Sequence, residues 1–237
     1  MESQTIQDLD VKGAETIINK AAGQESLLLK DALDLVRLYG LDIPEYRLAL
    51  SLDEALEAWR SFNGPVVMKI NRPHISHKTD SGAISLNLDS EEQIRGAFRD
   101  FQSLADSSKL EVLIQPLVKE GQEVILGGKR DEVFGPVILF GLGGILVEAL
   151  KDLAWRVAPI NREEAGRMIS QIKGRQILSG IRGAKPSDIN AIEAFLVRLS
   201  QMLIDFPQIR EIDVNPVIVY AEGEGALAVD ARVILEQ

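Results

Sequence analysis

The chain has 237 residues, a net charge of −10, 46% hydrophobic and 26% charged residues, and no cysteine. The acidic balance argues against nucleic acid as the main partner, because phosphate backbones demand a basic face. Without cysteine there is no disulfide framework, thiolate nucleophile or Cys-ligated metal, and no apolar run approaches the roughly eighteen residues that span a bilayer.

The stretch Met1–Asp10 carries acids and no basic n-region, so a signal peptide is not expected and a cytoplasmic location is. Residues 1–22 are weakly patterned and read as an extension or a short helix. Leu28, Ala32, Leu35, Val36 and Tyr39 fall at helical spacing, with Gly40 placed as a C-cap glycine. Ser51-Leu-Asp-Glu54 resembles a capping box and opens a helix to about Phe62. After Gly64-Pro65, strands are expected at Val66–Ile70, Ala83–Leu88 and Leu110–Val118, with a helix from Ser90 to about Ala105. Glu123–Gly127 and Val133–Phe140 read as paired strands around an Arg130-Asp131 turn. Gly141–Gly144 reads as a glycine-rich turn, and Ala154–Ala158 as a further strand. Helices at about 162–172 and 186–204 precede a closing hairpin of Ile209–Tyr220 and Ala226–Leu235. Strands and helices mix without a strict βαβ repeat, which makes the fold class α+β. The chain divides into an extension at 1–23, a first lobe at 24–114 and a second at 115–237, each lobe large enough for a core.

Two common nucleotide motifs are excluded. A P-loop ending at Gly128-Lys129 would need glycine at Glu123 and a hydroxyl at Arg130, and a dinucleotide fingerprint from Gly141 would need glycine at Leu146. Other residues point to phosphate. Lys69 stands inside the apolar strand Val66–Ile70, where an ammonium must either snorkel to solvent or meet an anion. The polar loop that follows holds the only two histidines, His74 and His77. An imidazole is substantially neutral near pH 7 and can accept a phosphoryl group, although a loop histidine can equally have no such role. The Gly141–Gly144 run fits either a tight turn or a close approach of backbone to a ligand or partner.

Asp213 and Asn215 lie two apart on a strand, so both side chains leave one face. Asp230 sits in the apolar run Ala226–Leu235, where a carboxylate is costly unless paired or metal-bound. Hard oxygen ligands suit Mg²⁺, which keeps several waters and takes few protein ligands. The alternative is a buried ion pair of Asp230 with Arg232 or Arg156.

Together these residues resemble the β subunit of ADP-forming acyl-CoA synthetases, ATP-grasp proteins of the succinyl-CoA synthetase superfamily. The resemblance covers about 24–235 and rests on ordered motifs: Tyr39-Gly40, Val66-Val-Met-Lys-Ile70, His77-Lys-Thr-Asp80, Phe134-Gly-Pro136, Phe140-Gly-Leu-Gly-Gly-Ile145, Glu148, Lys151-Asp152, Ile172-Lys-Gly174, Gly180-Ile-Arg-Gly183, Asp205-Phe-Pro207, Asp213-Val-Asn-Pro216 and Val229-Asp-Ala-Arg232. Pro116 and Ala83 depart from the commonest pattern, which has glutamate and glycine there. The resemblance implies an ATP-grasp fold of two α+β lobes clasping ATP or ADP. Adenine would lie at Gln115, Pro116, Leu117 and Val118, phosphate on Lys69, and Glu123 near the ribose or phosphate. Mg²⁺ would be held by Asn215 and Asp230 with Asp213 alongside. It further implies the reversible reaction of acyl-CoA, ADP and phosphate to carboxylic acid, CoA and ATP through phosphohistidine, with His77 as a mobile carrier. The partner would be a CoA-binding α subunit in an α2β2 heterotetramer, without nucleic acid or membrane. A free-standing ATP-grasp carboxylate ligase and a non-catalytic regulatory subunit are the competing classes. The acyl group is not readable from this chain.

Overall fold

The structure is a computed structural model that describes residues 9–73, 82–105, 110–144, 152–180, 183 and 185–236. In chain order the first elements are α1 Val11–Lys20, α2 Leu29–Leu38, β1 Arg47–Ala49, α3 Leu52–Phe62, β2 Val66–Ile70, β3 Ile84–Leu88, α4 Glu91–Leu104 and β4 Val112–Pro116. There follow β5 Gln122–Asp131, β6 Gly135–Leu142, β7 Leu153–Val157, α5 Arg162–Gln171, a 3-10 turn Lys173–Ile177, α6 Ile189–Asp205, β8 Ile209–Val219, β9 Ala226–Ala228 and β10 Arg232–Leu235. Of the described residues, those within 28–30 and 44–119 form one compact unit, and those within 1–27, 31–43 and 120–237 form another. The boundary expected at 114/115 falls inside β4, which bonds along β2 through Pro116. The N-terminal segment holds α1, capped by Asp10, whose Ala14 and Ile18 are buried.

The smaller unit is an antiparallel sheet in the order β1-β4-β2-β3 with helices α3 and α4. The Ser51 hydroxyl caps α3 on Glu54 N–H, and Asn63 ends that helix in the left-handed region. Ser90 and Gln93 form a reciprocal capping box on α4. The core takes alternate strand residues, Val66, Met68 and Ile70 from β2 with Val112 and Ile114 from β4, against Leu56, Ile94, Phe98 and Phe101. The period of two therefore sends Val67, Lys69, Leu113 and Gln115 to the opposite face.

In the larger unit the sheet order is β10-β8-β5-β6-β7, with β9 also pairing β8, all antiparallel. Helix α6 packs on one face: a Cβ at Gly128 would come within 2.5 Å of Leu203, which explains why that strand position is glycine. Arg130 closes the end of α6, donating to the carbonyls of Leu203, Phe206, Pro207 and Ile209. The turn expected at Arg130-Asp131 lies further on: β5 runs through Asp131, whose carboxylate accepts from Val133 and Phe134 N–H at 3.0 and 3.1 Å. Those two bonds hold its pKa below the ordinary carboxylate value. Gly141 is still part of β6, and the single strand expected over 226–235 is broken at 229–231. Among the described residues no helix is long and apolar enough to cross a membrane.

Candidate functional site

Lys69 sits on β2 between β4 and β3, so it is not an edge-strand lysine. Only 3% of it is exposed, which removes the solvent-snorkelling reading. Its direct neighbour across the strands is Leu113, and Gln115 lies two residues further along on the same face, opposite Val67. Gln115 is 1% exposed, and both polar atoms of its amide lack a hydrogen-bond partner among the described residues. Beyond β4, Leu117 donates its N–H to Pro65 at 2.8 Å; its side chain is exposed, while Pro116 and Val118 are half-buried.

On the larger unit's sheet, antiparallel partners share a face. Gly128 points towards α6, so the alternate positions point away from it. One such row is Trp155, Leu139, Gly127, Asp213 and Arg232; the next is Val157, Val137, Lys129, Glu211 and Ile234. The Lys129 ammonium lies 5.6 Å from the centre of the Trp155 ring. Asn215 continues the stripe of Glu211 and Asp213 along β8. The β8 register is the same at β9 (Ala228 opposite Val217) and at β10 (Arg232 opposite Asp213), which sets Asp230 across from Asn215 in the gap between the two strands.

Asp230 bonds locally, accepting from Ala231 N–H at 2.9 Å. Arg156 donates to Trp155 O and Gln171 Oε1, and Arg232 Nη1 comes 3.8 Å from Glu211 Oε1. Arg232 Nε is buried without a hydrogen-bond partner among the described residues. No cluster of three or more His, Cys, Asp or Glu placed to hold a metal occurs among the described residues. Two carboxylates and one amide oxygen on a half-open face form a donor set of the kind Mg²⁺ uses when phosphate and water complete its shell. Glu123, at the start of β5, backs onto the glycine run: Gly143 N–H donates to Glu123 O at 2.7 Å, and a Cβ at Gly143 would lie 2.6 Å from Glu123 Cβ. Close packing of two protein segments therefore accounts for glycine at 143.

Several motif residues hold the frame. The Tyr39 hydroxyl donates to Asp205 Oδ2 at 2.7 Å; burial first, then that carboxylate, pushes its pKa up. The Tyr39–Asp205 bond joins two motifs that are far apart in sequence, and Arg198 adds a bond to Gly40 O beside it. Asp152 accepts from Lys173 and Gly174 N–H at 2.9 and 2.7 Å, anchoring the 3-10 turn. Sequence reading named Arg232 as a candidate partner of Asp230 but missed Glu211 and Lys129 as members of the charged face; the Glu211, Asp213, Asn215 spacing of two was the available signal. His74, His77, Glu148 and Lys151 lie outside the described residues.

Two α+β units, one with a buried lysine on an antiparallel sheet and one with an acid-and-amide stripe, define the ATP-grasp class, and an ATP-grasp domain model matches residues 19–235. The chain belongs to that family, among the β subunits of ADP-forming acyl-CoA ligases. It is 42% identical over 231 residues to the β subunit of the ADP-forming acetate–CoA ligase I of Pyrococcus furiosus, covering 95% of this chain and 99% of that one. Against the ligase II β subunit of the same organism it is 42% identical, over 91% of this chain and 94% of the relative. A solved acetyl-coenzyme A synthetase 1 of Ca. Korarchaeum cryptofilum, with coenzyme A and Ca-AMPCP, superposes with a TM-score of 0.86 at 38% identity, over 94% of this chain and 100% of that one. Another structure of that enzyme, with coenzyme A and Mg-AMPPCP and its phosphohistidine segment pointing towards the nucleotide site, gives 0.79 at 37% identity, again over 94% and 100%.

Proposed function

We propose that this chain is the nucleotide-handling β subunit of an ADP-forming acyl-CoA synthetase and works with a CoA-binding α subunit. The observation that carries the reading is the near end-to-end match with chains that are themselves named β subunits. The balanced sequence is a phosphoryl relay. Phosphate displaces CoA from acyl-CoA to give acyl phosphate. A histidine takes the phosphoryl group and releases the carboxylate, and ADP takes it from histidine to give ATP. Lys69, buried on its sheet, would hold phosphate oxygens as a compact cation. Asn215, Asp230 and Asp213 would hold Mg²⁺, which when bound neutralises charge between phosphate groups. Glu123 would orient the ribose or phosphate side. His77 would carry the phosphoryl group between the α and β sites.

The partner's approach is supported by the hairpin tip after β5, where Val133 is 82% and Phe134 65% exposed beside Gly135-Pro136. We propose an α2β2 assembly acting on the ADP and acyl-CoA of the cytoplasm. The test is reconstitution: this chain with its α subunit, Mg²⁺, ADP, phosphate and acetyl-CoA should form ATP, while either chain alone should form none. ATP formation by this chain alone would overturn the reading.

A further inference from the structure

We infer that the groove on the helical side of the larger unit, between α5, the 3-10 turn and the start of α6, binds a small organic phosphate. The inference goes beyond the reading above and does not depend on it. The groove holds about 690 Å³, the size of a metabolite site, and three guanidinium groups line it: Arg162 and Arg167 from α5 and Arg175 from the 3-10 turn. Its lining acids are each tied to an arginine, Glu193 to Arg162 Nε at 2.8 Å and Glu163 to Arg167 Nη2. Arg175 has no carboxylate partner among the described residues; its Nη1 donates to Ser170 O at 2.8 Å. The groove therefore keeps a positive charge in a chain whose net charge is −10, and that charge calls for an anion.

The local structure holds these cations in place. Gly166 stands inside α5, where glycine is unfavourable, and a Cβ there would lie 2.9 Å from Glu193 Oε1. The glycine thus lets Glu193 come close enough to take Arg162 Nε while Asn190 takes Nη2, which fixes two of the three guanidinium nitrogens. Arg175 stands on the turn that Asp152 anchors through the N–H groups of Lys173 and Gly174. Each guanidinium still has N–H donors that these bonds do not use. A carboxylate offers two oxygens in one plane and a single charge. A phosphoryl group offers three peripheral oxygens and up to two charges, which suits three guanidinium forks drawn from two elements. The groove is several times larger than a phosphate ion, and Ile169, Leu178 and the half-buried Ile189 line the rest of it, so the phosphate carries an organic part with apolar surface. Helix α6 packs on the face of the sheet opposite the Asp213 stripe, so this ligand is not the phosphate proposed to be transferred there.

The test is titration calorimetry of the full chain, in EDTA and at fixed ionic strength, with phenyl phosphate, inorganic phosphate and benzoate as probes. The wild type should bind phenyl phosphate saturably, inorganic phosphate about tenfold or more weakly, and benzoate not at all in the same range. Arg167→Gln and Arg175→Gln should each weaken phenyl phosphate by about tenfold or more. Both side chains are exposed, so the ligand-free unfolding midpoint should not move. Lys69→Gln, in the other unit, should leave the phenyl phosphate isotherm unchanged. No saturable binding by the wild type, or unchanged binding in both arginine variants, would overturn the inference. Benzoate binding as tightly as phenyl phosphate would overturn the phosphate assignment, and inorganic phosphate binding as tightly would overturn the organic one. Loss of binding in Lys69→Gln with normal binding in the arginine variants would place the probe on the Lys69 sheet and also overturn it. None of these outcomes bears on ATP formation with an α subunit, so the proposed function stands or falls separately.

Discussion

Asp230 reaches its position through a break in pairing. β9 stops at Ala228 and β10 starts at Arg232 without a change of register against β8, so the residues between them stay in line with Asn215 but leave the ladder. A carboxylate is tolerated there because its side of the sheet faces away from α6 and the chain is only half-buried. Replacing Asp230 with Asn keeps shape and volume and removes one negative charge from the proposed metal shell. Mg²⁺-dependent ADP binding should weaken by about tenfold or more, about 1.4 kcal/mol, while ADP binding in EDTA should change little. Wild-type calorimetry for Asp230→Asn in Mg²⁺ would remove Asp230 from the metal assignment. At this scale the sequence flagged Lys69 without deciding between solvent and an anion, and it put Asp213 and Asn215 on one face, because a charge in an apolar strand and a spacing of two are local signals. It said nothing of the orphaned Gln115 amide, because burial of a glutamine on a β-strand depends on what covers the face, and no nearby residue encodes that.

Asp188 shows how one side chain ties elements together. Its Oδ1 caps α6 on Ala191 N–H at 3.1 Å, and its Oδ2 accepts from Gly223 and Gly225 N–H, both at 3.0 Å, fixing the turn that joins β8 to β9. One buried carboxylate thus starts a helix and shapes a hairpin. Asp188→Ala would lose the cap and leave two turn N–H groups without that acceptor, a cost of about 2 kcal/mol or more. Thermal unfolding should move down by about 4 °C or more, and an unchanged midpoint would show that water replaces the carboxylate fully. The helices, with their Ser51 and Ser90 caps, were legible because caps and periodicity are local. The strand limits were less so. β5 runs past Arg130 because that side chain is used to close α6, a long-range role that looks like turn chemistry in sequence. The 226–235 run looked continuous because it contains no glycine or proline of its own; the register puts Pro216 of β8, which has no N–H to give the ladder, opposite Val229.

For the molecule as a whole, the net charge of −10 opposes binding of a nucleotide and phosphate, so affinity must come from a few placed cations and a metal rather than from the general field. Lys69, proposed above to hold phosphate oxygens, would be a cation of this kind. The same excess of negative charge fits the proposed relay, in which phosphate arrives already bonded to a carrier instead of being drawn from solution to this chain. The relay is tested most directly by following phosphate on the chain during turnover of the complex with its α subunit, acetyl-CoA and phosphate. The wild-type chain should carry acid-labile, base-stable phosphate that disappears on adding ADP with Mg²⁺, and His74→Ala should behave in the same way. His77→Ala should carry none and form no ATP while still binding ADP; full ATP formation by the His77→Ala complex would contradict the relay.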